Sequence, residues 1–243
     1  MKTRLTVKNK LSALILFFLA VPALGSDNLP TQVSLPPQKV FAPPGFDDND
    51  NTQVVLFGYF PNTCYKVGQS PFVIDTNARE IRIQNFAYLY AGHSCLEMRI
   101  PWTKTIDLGV LIQGNYKILS QQTSGKYTYV ANLPVAVSKT SNADDLLYAH
   151  IESATGGRDQ PLRLSGSFSM DCLYVREVKT LYRSQGIIEV LPVADFIPGK
   201  NCMHTFIPLP FEVSVALKPT AKVLTLIHIR SMNGQSVNNV LQF

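Results

Sequence analysis

The chain has 243 residues, with 22 Lys and Arg against 17 Asp and Glu, 46% hydrophobic residues and four cysteines. Four of the basic residues fall within the first 25, so the net charge beyond them is only +1. That excludes the clustered cationic surface that nucleic acid requires, and it removes the electrostatic case for an anionic membrane surface.

Lys2, Arg4, Lys8 and Lys10 precede an apolar run from Leu11 to Leu24, and Ala23-Leu24-Gly25 forms a small-x-small site before Ser26. Residues 1–25 therefore read as a secretory signal peptide. The run is shorter than the roughly 20 residues that span a bilayer, and no later apolar stretch is long enough. The mature chain is expected to be periplasmic or secreted, with no transmembrane segment. Four cysteines in such a chain predict two disulfides.

Residues 26–37 are rich in proline and polar residues and read as a linker. A short edge segment, Lys39-Val40-Phe41-Ala42, opens the next unit, followed by the polar turn Asp47-Asp48-Asn49-Asp50-Asn51. Gln53 to Phe60 is strongly β-prone. Further strands are expected at 71–75, 79–90, 95–100, 105–112, 115–119 and 126–131. The segment 138–147 reads as a connection. Beyond it, strands are expected at 161–168, 173–182, 186–195, 202–207, 211–217, 222–230 and 236–242. No helical period appears after residue 25. Short strands at regular spacing, punctuated by Gly, Pro, Asn and Ser, predict an all-β fold of sandwich type.

The same punctuation occurs twice, about 107 residues apart. Gly58-Tyr59-Phe60 stands six residues before Cys64, and Gly166-Ser167-Phe168 stands six before Cys172. Cys95 stands six before Pro101, and Cys202 six before Pro208. This predicts an internal duplication, with a first domain over 38–145 and a second over 146–243. It selects Cys64–Cys95 and Cys172–Cys202 from the three possible pairings.

With a disulfide between an early and a middle strand of each copy, the chain resembles bacterial exported proteins built from tandem immunoglobulin-like sandwiches. The resemblance is one of fold, and it implies a binding or structural role. One departure is that the single tryptophan, Trp102, follows the second cysteine of its copy instead of lying between the two.

The sequence contains no HExxH, GxSxG, GxxxxGK[ST] or GxGxxG motif, and its four histidines are scattered. His93-Ser94-Cys95 and Cys202-Met203-His204 offer thiolate and imidazole, but export favours oxidised cysteines over metal ligands. The acidic turn is sharper. Asp47, Asp48, Asn49, Asp50 and Asn51 place five oxygen-bearing side chains in a row, the donor type calcium takes. The string resembles the DxNDN calcium linker of cadherins, which implies calcium binding; the second copy carries Gly156-Gly157-Arg158-Asp159 at this place. In the run 79–90, alternate residues face opposite ways. If Ile81, Ile83, Asn85, Ala87 and Leu89 face the core, then Phe86, Tyr88 and Tyr90 form an outward aromatic ladder suited to a protein or glycan.

The expectation is a non-enzymatic exported protein of the bacterial envelope or extracellular space that recognises a protein or glycan partner and needs no cofactor. A calcium-dependent adhesion module, and a hydrolase or inhibitor acting on cell-wall or extracellular polymers, stay open beside it.

Overall fold

The computed structural model describes residues 29–92, 94–218 and 224–241; the expected signal peptide and His93 lie outside them. Among the described residues there is no α-helix. In chain order the first strands are β1 (Thr31–Ser34), β2 (Lys39–Phe41), β3 (Phe46–Asp47), β4 (Thr52–Phe60), β5 (Tyr65–Val67) and β6 (Phe72–Asp75). Next come β7 (Glu80–Ile83), β8 (Phe86–Leu89), β9 (Ile100–Gly109), β10 (Gly114–Gln121) and β11 (Tyr127–Ala136). After the connection follow β12 (Ile151–Thr155), β13 (Leu162–Met170), β14 (Leu173–Arg183) and β15 (Ile187–Phe196). The chain closes with β16 (His204–Val215), β17 (Thr225–Ser231) and β18 (Gln235–Leu241).

These strands form sheets that alternate along a stack. In the first half the order β3-β11-β10-β7-β6 faces the order β2-β4-β9, and a third small sheet, β1-β8-β5, lies beside them. In the second half β14-β15-β17-β18 faces β12-β13-β16. The two halves share a pairing scheme. β7 runs parallel to β10 and β15 parallel to β17, while every other pair within the two four- and five-stranded sheets is antiparallel, apart from the short β3–β11 contact.

Side-chain alternation shows how the sheets stack. On β4, Val54, Leu56 and Phe60 enter the first core with Ile81, Ile83, Tyr116, Ile118 and Leu133. The intervening Val55, Phe57 and Tyr59 face the other way, against Ile187, Leu226, Leu224 and Val240 of the second half. On β17, Ile227 and Ile229 enter the second core with Leu162, Leu164, Ile188 and Val190. Sheets β2-β4-β9 and β14-β15-β17-β18 are therefore the inner layers of a four-layer stack. Strands covered on both faces read as continuous apolar runs, which is why QVVLF and TLIHI show no clean period.

The disulfides join Cys64 to Cys95, with Cα atoms 5.4 Å apart, and Cys172 to Cys202, 5.1 Å apart. The recurring Gly-x-Phe also acquires a physical reason. Gly58 lies opposite Trp102, and a Cβ there would come within 2.6 Å of the indole. Gly166 lies opposite Phe211, and a Cβ would meet that ring at 2.8 Å and the His150 carbonyl oxygen still closer. Two residues on, Phe60 stacks on Trp102 and Phe168 on Phe211. In each half a glycine makes room for a large ring and a phenylalanine packs against it. The prolines six residues past the second cysteine both fall in outer strands, Pro101 in β9 and Pro208 in β16. Proline lacks an N–H, so such a strand is where it costs least.

Several expected boundaries differ. The linker 26–37 contains β1, because Thr31 to Ser34 supply the open edge of β8 with a hydrogen-bonding neighbour. The strand expected at 95–100 is coil up to Arg99, where Cys95 is held by its disulfide and β9 starts only at Ile100. The strands expected at 202–207 and 211–217 are one, β16, with a register shift opposite Phe168/Met170. The run 79–90 breaks at Gln84-Asn85 and passes from one sheet to another. Asn85 holds that corner while buried: its amide donates to Leu35 O at 2.7 Å, and its oxygen accepts from Ser70 Oγ.

Candidate functional site

The joint between the halves concentrates the buried charge. β17 presents Leu226, His228 and Arg230 on the face turned away from the second core. Arg230, with its side chain 4% exposed, donates through Nη2 to Asp50 Oδ1 at 2.8 Å and to Asp144 Oδ1 at 3.0 Å. Its guanidinium lies over Phe46 at 4.9 Å and Tyr148 at 5.5 Å. Burying this charge is tolerable only because two carboxylates meet it. Beside it, Arg183 forms a two-pronged ion pair with the buried Glu189 at 2.8 and 3.0 Å. Gly45 leaves room for that carboxylate, since a Cβ there would come within 2.5 Å of Glu189 Oε1.

His228 is fully buried in the same layer. Its Nδ1 bonds Asn238 Oδ1 at 2.8 Å, its ring meets Phe46 edge-on, and its Nε2 has no hydrogen-bond partner within the protein. Burial pushes its pKa down from 6.5 to about 4, and the nearby Arg230 adds to the effect. Hydrogen bonds from Asn238 Nδ2 to Thr105 Oγ1 (3.1 Å) and from Ser236 to Gln53 extend the joint along β18. A cavity of about 420 Å³ opens at the rim, lined by Asp47, Lys139, Asp145, Tyr148 and Arg183 among others. Burial raises the Tyr148 phenol to about 12 against the opposing pull of Arg230, and the carboxylates of Asp144, Glu189 and Asp50 add to the rise.

The acidic turn belongs to this joint. Asp50 is buried against Arg230. Its Oδ2 also accepts from Asp47 N at 3.1 Å, and Asp47 Oδ1 accepts from Asn49 N at 3.2 Å. Asp48 accepts from Ser138 N at 2.8 Å, and these hydrogen bonds from Ser138 hold its carboxyl below the usual range. Asn49 Nδ2 donates to Thr140 O at 2.8 Å, and Asn51 lies against Gly234 in the turn between β17 and β18. Among the described residues, no three His, Cys, Asp or Glu side chains are grouped to hold a metal ion.

Phe86, Tyr88 and Tyr90 are half-buried. Ala87 between them is buried in the first core. β1 and β5 flank β8 on both sides, and Lys66 Nζ lies 4.9 Å above the Tyr90 ring. The opposing alternation expected for 79–90 holds at Ile81, Ile83, Asn85 and Ala87, which are buried, and not at Leu89, which is only half-buried; Phe86 and Tyr88 sit on a different sheet from Ile81 and Ile83, and Tyr90 follows the end of β8.

The most exposed apolar surface lies elsewhere, around the second disulfide. Phe206 is fully exposed and Ile207 is 79% exposed, with Met203, Phe196, Ile197 and Leu209 also exposed. A register shift in β16 next to these residues leaves the strand locally unpaired. Periodicity could not single them out, because Phe206-Ile207-Pro208-Leu209 reads like an ordinary buried strand. Arg230, Glu189 and His228 were likewise missed, although one signal was present: cationic and acidic residues inside continuous apolar runs.

No family model, no curated protein and no solved structure matches this chain.

Proposed function

We propose that this chain is an exported, non-enzymatic binding protein of the bacterial envelope or extracellular space, and that it engages another protein through the apolar tip beside Cys202. The observation that carries the reading is the adjacent exposure of Phe206 and Ile207. Isolated exposed apolar residues are common, but a cluster of large ones marks a surface that is covered in use. Phe, Ile, Met and Leu carry no polar tip to match sugar hydroxyls, so an apolar protein surface suits them better than a glycan. Two disulfides and the expected signal peptide support an oxidising compartment.

The shared pairing order and the repeated glycine–ring packing support two copies of one immunoglobulin-like unit, divided near residue 145. In this reading the acidic turn is the clasp of the joint: Asp50 neutralises Arg230, and Asp48 and Asn49 hold the connection at Ser138 and Thr140. The joint then keeps the tip at a fixed orientation to the first half.

The test is affinity capture from a native envelope extract, followed by mass spectrometry, with the wild-type chain and the Phe206→Ser/Ile207→Ser chain. A protein that the wild type retains and the variant loses, at an unchanged melting temperature, supports the reading. Identical proteins on both would refute it.

A further inference from the structure

Among the described residues, three strands of ten or more residues lie at the outside of their sheets with one neighbour each: β9, β14 and β16. Such an edge offers a row of free N–H and C=O groups. β9 contains Pro101, and β16 contains Pro208 and Pro210, so their rows of donors are broken. β14, Leu173–Arg183, has no proline; its one irregularity is a register shift at Val175/Glu177, and from Glu177 to Arg183 it pairs with β15 without a break.

The direction of its free groups follows from the residue across from it. Val178 pairs with Pro192 of β15. Proline has no N–H, so this pair cannot exchange two hydrogen bonds and must be of the non-bonded kind. Pro192 O confirms it by accepting instead from Ala149 N, at 2.8 Å, on its other side. The N–H and C=O of Val178 consequently point to the open edge, and by alternation so do those of Thr180 and Tyr182.

The side chains around Val178 are complementary to their own reversal. Glu177 precedes it and Lys179 follows it. A second β14 laid antiparallel across a two-fold axis at Val178 exchanges two hydrogen bonds with it there. Glu177 then faces Lys179 of the second copy, and Lys179 faces Glu177 of the second copy. Those flanking positions are the non-bonded ones, where cross-strand side chains come closest. Both side chains are exposed, at 42% and 46%, and within one chain already meet at 3.3 Å.

Apolar burial points to the same side. β12 packs beside β18, which leaves β14 and β16 together at the opposite rim of the second half. There Phe211, Val213 and Val215 of β16 and Val175 and Val178 of β14 are only partly buried. Their counterparts on β9, Trp102, Ile106 and Leu108, are buried. The first half closes this rim with its own chain. Tyr65 stacks on Phe60, and Lys104 Nζ donates to Gly68 O at 2.6 Å. Among the described residues, no third sheet does so in the second half.

We propose that the β14 edge is an isologous interface between two copies of this chain, joined antiparallel through Val178. It does not depend on the tip at Phe206, and the two surfaces fail separately.

Sedimentation velocity of the mature chain over a wide concentration range tests it. The wild type is expected to dimerise. Glu177→Lys and Lys179→Glu each turn two attractions into repulsions and should weaken the dimer roughly tenfold. The combined Glu177→Lys/Lys179→Glu chain restores the complementarity and should recover wild-type affinity. Val178→Pro should lower the melting temperature of the monomer only by the packing that Val178 loses against the second core, because the lost N–H faces outward, and should abolish the dimer. A monomer up to the solubility limit overturns the proposal. So does a dimer that the double swap fails to restore, or one that Phe206→Ser/Ile207→Ser dissolves.

Discussion

Replacing His228 with glutamine should flatten the acid side of the stability profile. His228 is fully buried, and its pKa falls from 6.5 to about 4 on folding. Between those values the folded state binds fewer protons than the unfolded one, so stability declines as pH drops through the window from about 6.5 to about 4. The difference corresponds to roughly 3 kcal/mol, fully lost below the folded value. Glutamine does not titrate, and its amide can still bond Asn238. Asp48, Asp171 and Asp195 also have lowered pKa values and titrate at acid pH, but they do so in both chains and cancel in the comparison. Urea unfolding of the wild type and His228→Gln at steps from pH 7 to pH 4 reads the difference. The expected result is that the wild type loses about 3 kcal/mol more than the variant over this range. Parallel profiles would show that His228 is hydrated or already protonated in the folded chain, and the account of a buried neutral imidazole would fall.

Arg230→Met should cost about 3–5 kcal/mol, because it leaves the buried carboxylate of Asp50 and the largely buried one of Asp144 without their cation. Adding Asp50→Asn and Asp144→Asn should recover much of it, and urea midpoints at pH 7 would show whether it does. Gly58→Ala should cost about 1–3 kcal/mol by driving a methyl into the Trp102 ring, seen as a lower melting temperature together with altered tryptophan emission.

The parts of the fold readable from sequence were those with a local cause. The cysteine pairing was legible because each cysteine stands at a fixed distance from a glycine that makes room for a ring, or from a proline that falls in an outer strand. Most strands were legible from β-branched and aromatic residues bounded by turn formers. The third sheet was not, because nothing local separates Glu80–Ile83 from Phe86–Leu89. That break is set by Asn85 reaching Leu35, some 50 residues away in sequence. The acidic turn was legible as unusual, but its nearest cation lies 180 residues away, in β17. A row of oxygens reads the same whether it awaits a metal ion or an arginine. The apolar tip was hidden because a strand's residues betray burial by their pattern, and Phe206-Ile207 have the composition of a core.

The double-sided burial of β4, β15 and β17 has a consequence for how the chain finds its alignment. Where one face of a strand meets water, a slip by one residue exposes its apolar row and is rejected. These strands are apolar on both sides, so that check is weak: Val54 and Val55, or Leu226 and Ile227, could trade places at little cost. Their alignment must be marked in other ways. Gly58 is the only residue of β4 that can pass beneath the Trp102 ring. On the neighbouring layer, a one-residue slip of β17 would turn His228 and Arg230 into the hydrocarbon of the second core, away from Asp50 and Asn238. The buried ionic groups thus serve as index marks, penalising the misaligned chain more than they stabilise the aligned one.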